Sequence, residues 1–163
     1  MNIIINTCSQ GISSIDLPFI EKNIYNKKDS ISGFISVLDI KVLGSHPLGK
    51  TLAREINNYL HGKAFFFSEY PVIWSETTIF GKRVLTALKD IPYGKTISYS
   101  ELAGIIGHPS AIRAVGQALK KNPWPVLYPC HRVIGKSGQL KGFSSGIGWK
   151  RALLSIEKSV KGV

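Results

Sequence analysis

The chain has 163 residues, 44% of them hydrophobic, and a net charge of +11; this is enough for one good-sized domain or two small ones sharing an interface, and too apolar for a disordered chain. No apolar run approaches the roughly 20 residues of a membrane-spanning helix, Met1-Asn2-Ile3-Ile4-Ile5-Asn6 lacks the basic leader of a secretion signal, and two cysteines build no disulfide framework. A reducing cytoplasmic interior is therefore expected, or a nuclear one in a eukaryotic source.

In chain order, residues 2–8, rich in Ile, and 11–17 read as two strands joined near Ser9-Gln10-Gly11. Residues 33–38 form a third apolar stretch, expected as a strand although the alternation is incomplete. Leu48, Leu52, Ile56 and Leu60 recur every four residues and predict a helix over 47–60, with Gly62 as its stop. Phe65-Phe66-Phe67 is expected to pack this half onto the next. No recognisable chemistry appears in this half, which reads as a scaffold domain over 1–70; residues 69–76, with Pro71, are the expected connection to a second domain over 71–163.

The second half carries all the excess charge. Residues 1–76 hold seven Lys/Arg and seven acids, whereas 77–163 hold the other fourteen bases against Asp90, Glu101 and Glu157. Such a surface suits a polyanion, although net charge also serves solubility alone. Phe80, Val84, Leu85 and Leu88 share a helical face that ends at Ile91-Pro92-Tyr93-Gly94. Ser98-Tyr99-Ser100-Glu101 has the form of a capping box opening a short helix. Gly107-His108-Pro109 breaks it, Ser110 can cap again, and residues 111–121 predict a second helix, so the pair has a helix-turn-helix pattern. On the second helix Ile112, Val115 and Leu119 are expected to face inward. Arg113, Gln117 and Lys120 form an outward stripe, and Ala114, Gly116 and Ala118 are small enough for close approach to a groove. A merely solvated helix face is the plainer alternative.

Asn122-Pro123-Trp124-Pro125 is a stiff turn in which the Asn side chain can bond nearby backbone groups. It leads into Pro129-Cys130-His131-Arg132, a thiol and an imidazole side by side. A free Cys is often only a small buried hydrophobe, and adjacent side chains in an extended segment point opposite ways, so His131 is expected to reach the thiol only through a water or a bend. Metal binding would need about four ligands at characteristic spacings, which are missing. Gly135-Lys136-Ser137-Gly138 is a turn, and Gly142-Phe143-Ser144-Ser145-Gly146 a small-residue loop able to wall a pocket. Residues 149–157 predict a last amphipathic helix. Its Glu157 could pair with a surface base or orient His131.

Several of these motifs, in this order, resemble the O6-alkylguanine-DNA alkyltransferases, also called methylated-DNA–protein-cysteine methyltransferases. The resemblance covers about residues 78–157: Ile91-Pro92-Tyr93-Gly94, Ser98-Tyr99, Arg113-Ala114-Val115-Gly116, Asn122-Pro123, Pro129-Cys130-His131-Arg132-Val133-Ile134, and Leu153-Leu154 with Glu157. The first half matches only in outline, through Tyr59-Leu60-His61-Gly62-Lys63. What the resemblance implies is an α+β protein, with a small ribonuclease-H-like α/β domain followed by a winged helix-turn-helix domain. It would be a monomer without cofactor, metal or membrane attachment, bound to the minor groove of double-stranded DNA containing O6-alkylguanine, with O4-alkylthymine as a second candidate substrate.

By similarity Cys130 accepts the alkyl group irreversibly, His131 generates the thiolate through a water, and Glu157 orients His131. Asn122 joins the recognition helix to the active segment, Tyr99 donates a proton to guanine, and Arg113 replaces the extruded base. Ser110, Ala114, Gly116, Gln117 and Lys120 complete the DNA surface. Val133 and Ser144 contact the flipped guanine through their backbones, with Phe143, Ser145, Pro125 and Trp124 completing the pocket. The charged relay is expected to lower the thiol pKa. Phe143 stands where many relatives have Tyr, Ile79 where Pro is usual, and Trp149 and Lys150 occupy variable positions. A winged-helix protein that recognises DNA without transfer is the alternative from another class; a cysteine hydrolase would need His within direct reach of the thiol and an oxyanion site.

Overall fold

The computed structural model describes residues 1–20, 35, 36, 38–63 and 67–159. Its elements run β1 (Asn2–Cys8), β2 (Gly11–Asp16), β3 (Asp39–Leu43), α1 (Leu48–Leu60), α2 (Ile79–Leu88), β4 (Ile97–Ser98), α3 (Tyr99–Ile105), α4 (Ile112–Lys120), a 3-10 turn (Cys130–Arg132), β5 (Val133–Ile134) and α5 (Ile147–Ser159). The first sheet has the order β2-β1-β3, with β1 antiparallel to β2 and parallel to β3. Alternation along β1 buries Ile3 and Ile5 completely, and α1 covers the sheet with Leu52, Ile56, Tyr59 and Leu60. Gly62, at φ 67°, terminates α1 in the left-handed region where a Cβ is costly.

The expected strand over 33–38 is corrected in part: Ile35 is helical, while Gly33, Phe34 and Val37 lie outside the described residues. The strand forms later, at Asp39–Leu43, where exposed and half-buried residues alternate as one half-covered face requires. Of the Phe65-Phe66-Phe67 run only Phe67 is described. Its ring lies 5.6 Å from that of Tyr59.

Residues 69–76 do not cross as a free tether. The Ile12 amide donates to the Pro71 carbonyl at 2.8 Å and the Ile73 amide to the Ile12 carbonyl at 3.1 Å, so the connection is bound to the edge of β2. Both halves feed one apolar core that contains Ile3, Ile12, Leu52 and Tyr59 together with Leu85, Leu102, Trp124 and Trp149.

In the second half α2 begins at Thr78, whose hydroxyl accepts from the Gly81 amide at 3.0 Å. The capping box of α3 is formed in both directions: Glu101 N–H donates to Ser98 Oγ at 3.1 Å and Ser98 N–H to the Glu101 carboxylate at 2.6 Å. Two further expectations are corrected at α4. Its N-cap is Ala111 and no side chain caps it, so Ser110 does not. Ile112 is 42% exposed, whereas Val115 and Leu119 are buried, because the first turn of the helix runs past the edge of the core. The short strands β4 and β5 pair in parallel, Ile97 with Val133 and Ser98 with Ile134, and so fix the end of the 3-10 turn beside the start of α3.

Ser98→Ala removes the cap of α3 and should lower stability by about 1 kcal/mol, seen in a thermal melt as a midpoint roughly 2–4 °C lower. An unchanged midpoint would mean that packing alone starts this helix.

Candidate active site

After α4 the chain turns at Asn122, which is 8% exposed. Asn122 Oδ1 accepts from the Trp124 amide at 3.0 Å, and Nδ2 donates to the Tyr128 carbonyl at 2.8 Å and to Cys130 Sγ at 3.2 Å. One amide side chain thus ties both ends of the segment to the thiol, which a prolyl-rich turn cannot do with its own backbone because Pro123 and Pro125 have no N–H. Directly after Pro125, Val126 is held at φ 74°; for a β-branched residue this conformation costs of order 1–3 kcal/mol. Cys130 is 7% exposed.

The carboxylate of Glu157, on α5, gathers four donor residues from three parts of the chain. Tyr59 Oη donates to Oε1 at 2.6 Å, His131 Nε2 lies 2.8 Å from Oε1, and the Gly94 amide donates to Oε2 at 2.9 Å. Arg132 Nε reaches both oxygens at 3.1 Å and Nη2 reaches Oε1 at 2.9 Å, while Nη1 donates to the Ile91 carbonyl at 2.7 Å. Burial pushes the Glu157 carboxyl up, but the hydrogen bonds from His131 and Arg132 and the Arg132 charge outweigh it and hold the group down at about 2. Burial pushes the His131 imidazole below its usual range, against the pull of Glu157, so the ring rests neutral.

A carboxylate facing Nε2 requires the proton there. The lone pair is then on Nδ1, which is buried and has no hydrogen-bond partner among the described residues. His131 and Cys130 share no direct hydrogen bond.

A second cluster flanks the thiol. Lys150, fully buried, donates to the Lys141 carbonyl at 3.0 Å, and the Tyr99 hydroxyl donates to the same carbonyl at 3.1 Å. The Lys150 ammonium lies 5.6 Å from the centre of the Tyr99 ring. Burial lowers the lysine to about 8, with the Cys130 charge acting the other way. The thiol itself is corrected in sign: burial pushes Cys130 above its ordinary value, and the Asn122 hydrogen bond and Lys150 charge recover only part of that rise. At neutral pH the sulfur is therefore a thiol. Among the described residues no three His, Cys, Asp or Glu side chains are grouped to hold a metal, and no helix is long and apolar enough to cross a membrane.

Residues 79–159 match the family model described as 6-O-methylguanine DNA methyltransferase, DNA binding domain. A methylated-DNA–protein-cysteine methyltransferase of Mycobacterium tuberculosis is 57% identical over 82 residues, 50% of this chain and 50% of the relative. One of the same name from Methanosarcina acetivorans is 46% identical over 109 residues, 66% of this chain and 67% of the relative. The crystal structure of the M. tuberculosis OGT in complex with DNA superimposes with a TM-score of 0.71 at 30% identity, covering 98% of this chain and 94% of that one. The chain belongs to the methylated-DNA–protein-cysteine methyltransferase family. It spans about half the length of the mycobacterial relative it matches.

Within this family member, the residues proposed from sequence fall into three groups. Asn122 is bonded to Cys130 and, one residue on, His131 to Glu157, with no direct hydrogen bond between the two pairs; the Tyr99 ring lies beside Lys150. Arg113, Ala114, Gln117 and Lys120 are exposed on α4 and Ser110 just before it. Gly116 faces the Tyr99 ring: a Cβ there would lie 3.9 Å from Tyr99 Cε1.

The residues expected to line the pocket are more dispersed. Val133 is fully buried in β5, Phe143 half-buried, Ser144 exposed, and Ser145 half-buried with its carbonyl taken by the Ile20 amide at 2.9 Å. Trp124 does not wall a pocket. It is fully buried, its indole donates to the Ile12 carbonyl at 3.1 Å, and its ring packs 4.8 Å from Trp74. Pro125 is buried beside it. Tyr59, Gly94, Arg132 and Lys150 belong to the site without having been marked by spacing; only the basic surroundings of Glu157 hinted at partners for it.

The ionised Glu157 yields a pH dependence with a definite sign. Its carboxyl titrates at about 2 in the fold and about 4.3 in the unfolded chain, so it contributes stability above about pH 4.3 that is lost as pH falls through 2, about 3 kcal/mol in all. Melting midpoints of the parent should therefore drop steeply over that window. Glu157→Gln, which leaves Arg132 without its counter-charge, should be about 3–5 kcal/mol less stable at neutral pH and converge on the parent in acid. A gap that is constant with pH would contradict an ionised Glu157.

Proposed function

We propose that this protein repairs O6-alkylguanine in duplex DNA by irreversible, stoichiometric transfer of the alkyl group to Cys130, with O4-alkylthymine as a second candidate substrate. The observation that carries the reading is the Cys130 thiol held by Asn122 beside the neutral His131–Glu157 pair, in a chain whose relatives are named for cysteine methyl transfer. DNA binding is supported by the basic second half, the exposed cationic stripe on α4, and the DNA-bound structure of the mycobacterial relative.

In this reading residues 1–70 are a ribonuclease-H-like scaffold domain and 71–163 a winged helix-turn-helix domain, with α3 and α4 as the helix pair and the loop after β5 as the wing. α4 enters the minor groove as a monomer's recognition helix. Arg113 fills the stack as the target nucleotide is extruded at a cost of a few kcal/mol. With the guanine beside it, the thiol passes its proton through a water to His131 Nδ1, and the imidazolium formed is stabilised by Glu157. The thiolate sulfur then bonds to the alkyl carbon as the carbon–O6 bond breaks, and the electron pair goes to the purine, which takes a proton from Tyr99. Tyr99 must first leave the Lys141 carbonyl. The product thioether has no easy leaving group, so each molecule reacts once.

Intact mass after incubation with DNA containing O6-methylguanine tests this: it should rise by one methyl, on Cys130, once per molecule. Release of repaired DNA well beyond one equivalent would falsify the stoichiometric mechanism, and binding without any mass change would identify a recognition protein instead. For Arg113→Ala, transfer from the duplex should slow far more than reaction with a free O6-alkylguanine base, because only the duplex requires extrusion. Equal losses on both substrates would remove that role from Arg113.

A further inference from the structure

Ile112 is the first residue of α4 and, by its spacing from the buried Val115 and Leu119, would belong to the inner face, yet it is 42% exposed. It is neither in the apolar core nor among the half-buried side chains packed against it. No helix cap is formed by its neighbour Ala111, and a β-branched residue is no better a helix former here than the alternatives. With Ser110, Ala111, Arg113 and Ala114 it lines one open depression on the protein surface. The molecule thus carries a part-exposed apolar side chain adjacent to the cation assigned to base extrusion.

A polyanion explains Arg113 and Lys120, but phosphates offer nothing to a sec-butyl group. Only sugar faces and base edges do, and those are reached inside a groove. Minor-groove proteins use such pairings, an apolar wedge that opens a base step beside a cation that holds the backbone or fills the gap. We propose that Ile112 is a wedge that acts with Arg113: seated in the minor groove, it separates the base step next to the target nucleotide and keeps the vacated space closed while Arg113 occupies it. This rests on the duplex-repair reading and adds a residue to it. The resulting specificity is for duplex over single-stranded or free substrates, since only a stacked duplex has a step to open.

The test compares the parent, Ile112→Ala, Ile112→Met, Arg113→Ala and the Ile112→Ala/Arg113→Ala pair in single-turnover transfer. Substrates are an O6-methylguanine duplex and the free O6-methylguanine base, with melting midpoints measured alongside. Ile112→Ala should slow transfer from the duplex about tenfold, which corresponds to about 1.4 kcal/mol, while changing free-base transfer by less than twofold and leaving the midpoint where it was. Ile112→Met should restore most of the duplex rate. The double variant should lose less than the product of the single losses, as expected of residues acting as one unit. Duplex transfer by Ile112→Ala at the parent rate overturns the wedge, as does an equal fall on both substrates, which would mark a structural role. A parent that transfers from neither substrate overturns the repair reading itself.

Discussion

A single carboxylate, Glu157, keeps a full negative charge at 2% exposure, and the geometry of the site follows from it. Desolvating such a group costs several kcal/mol even after relaxation, so it can remain ionised only where donors converge. Here they come from α1 through Tyr59, from the turn after α2 through Gly94, and from the 3-10 turn through His131 and Arg132. None of these segments neighbours another in sequence. The carboxylate is placed in turn by ordinary packing, because α5 buries Trp149, Ala152, Leu153 and Ile156 on the face that carries Glu157. Core packing thus decides the imidazole tautomer, and the tautomer puts the basic lone pair on Nδ1, the atom left without a partner among the described residues.

The burial that isolates this network also suppresses its reactivity at rest. It raises the Cys130 thiol and lowers His131, so neither group is charged at neutral pH. For an enzyme that turns over, a poorly ionised nucleophile is a handicap. For the single-use acceptor proposed above it would be protective: thiolate character is what exposes cysteine to oxidation and stray electrophiles, and a Cys130 spent that way would not be recovered by another cycle. In the proposed mechanism proton transfer is tied to substrate entry, when the alkyl carbon is already beside the sulfur and the developing imidazolium can be met by Glu157.

The parts of this arrangement that lie within a few residues of one another were legible in sequence. The capping box of α3, the faces of α1 and α2, and the role of Asn122 as a bonding residue in a prolyl turn each depend on spacings shorter than about ten residues. Long-range partners left no such trace: Tyr59 meets Glu157 across 98 positions, and a tyrosine on a helix face reads as core whether or not its hydroxyl has work. Ile112 shows a different limit, since periodicity says which way a side chain points and not where the core ends. Trp124 was drawn to the pocket by its place before the reactive cysteine, whereas an indole N–H with a strand carbonyl within reach is more stable as an interior bolt. At residues 33–38 the apolar run was too short for its period to separate strand from helix.

The first half bears no motif, yet the reactive segment depends on it. The Ile15 amide donates to the Pro123 carbonyl at 2.8 Å, and the Ile12 carbonyl accepts from the Trp124 indole. The Pro18 carbonyl accepts from the Trp149 indole at 2.7 Å, and the Ile20 amide donates to the Ser145 carbonyl. β2 and the chain just beyond it therefore hold both the turn at Asn122 and the loop before α5. These anchors act with the Asn122 hydrogen bonds to oppose relaxation of Val126 from its left-handed backbone, and so help to fix Cys130 four residues later. Apart from Tyr59, the hydrogen bonds that the described residues of this half make to these segments come from main-chain amides and carbonyls, which every residue type possesses. A contribution made in that way constrains where the strand lies while leaving its side chains free to satisfy the core, and so it writes almost nothing into residue identity.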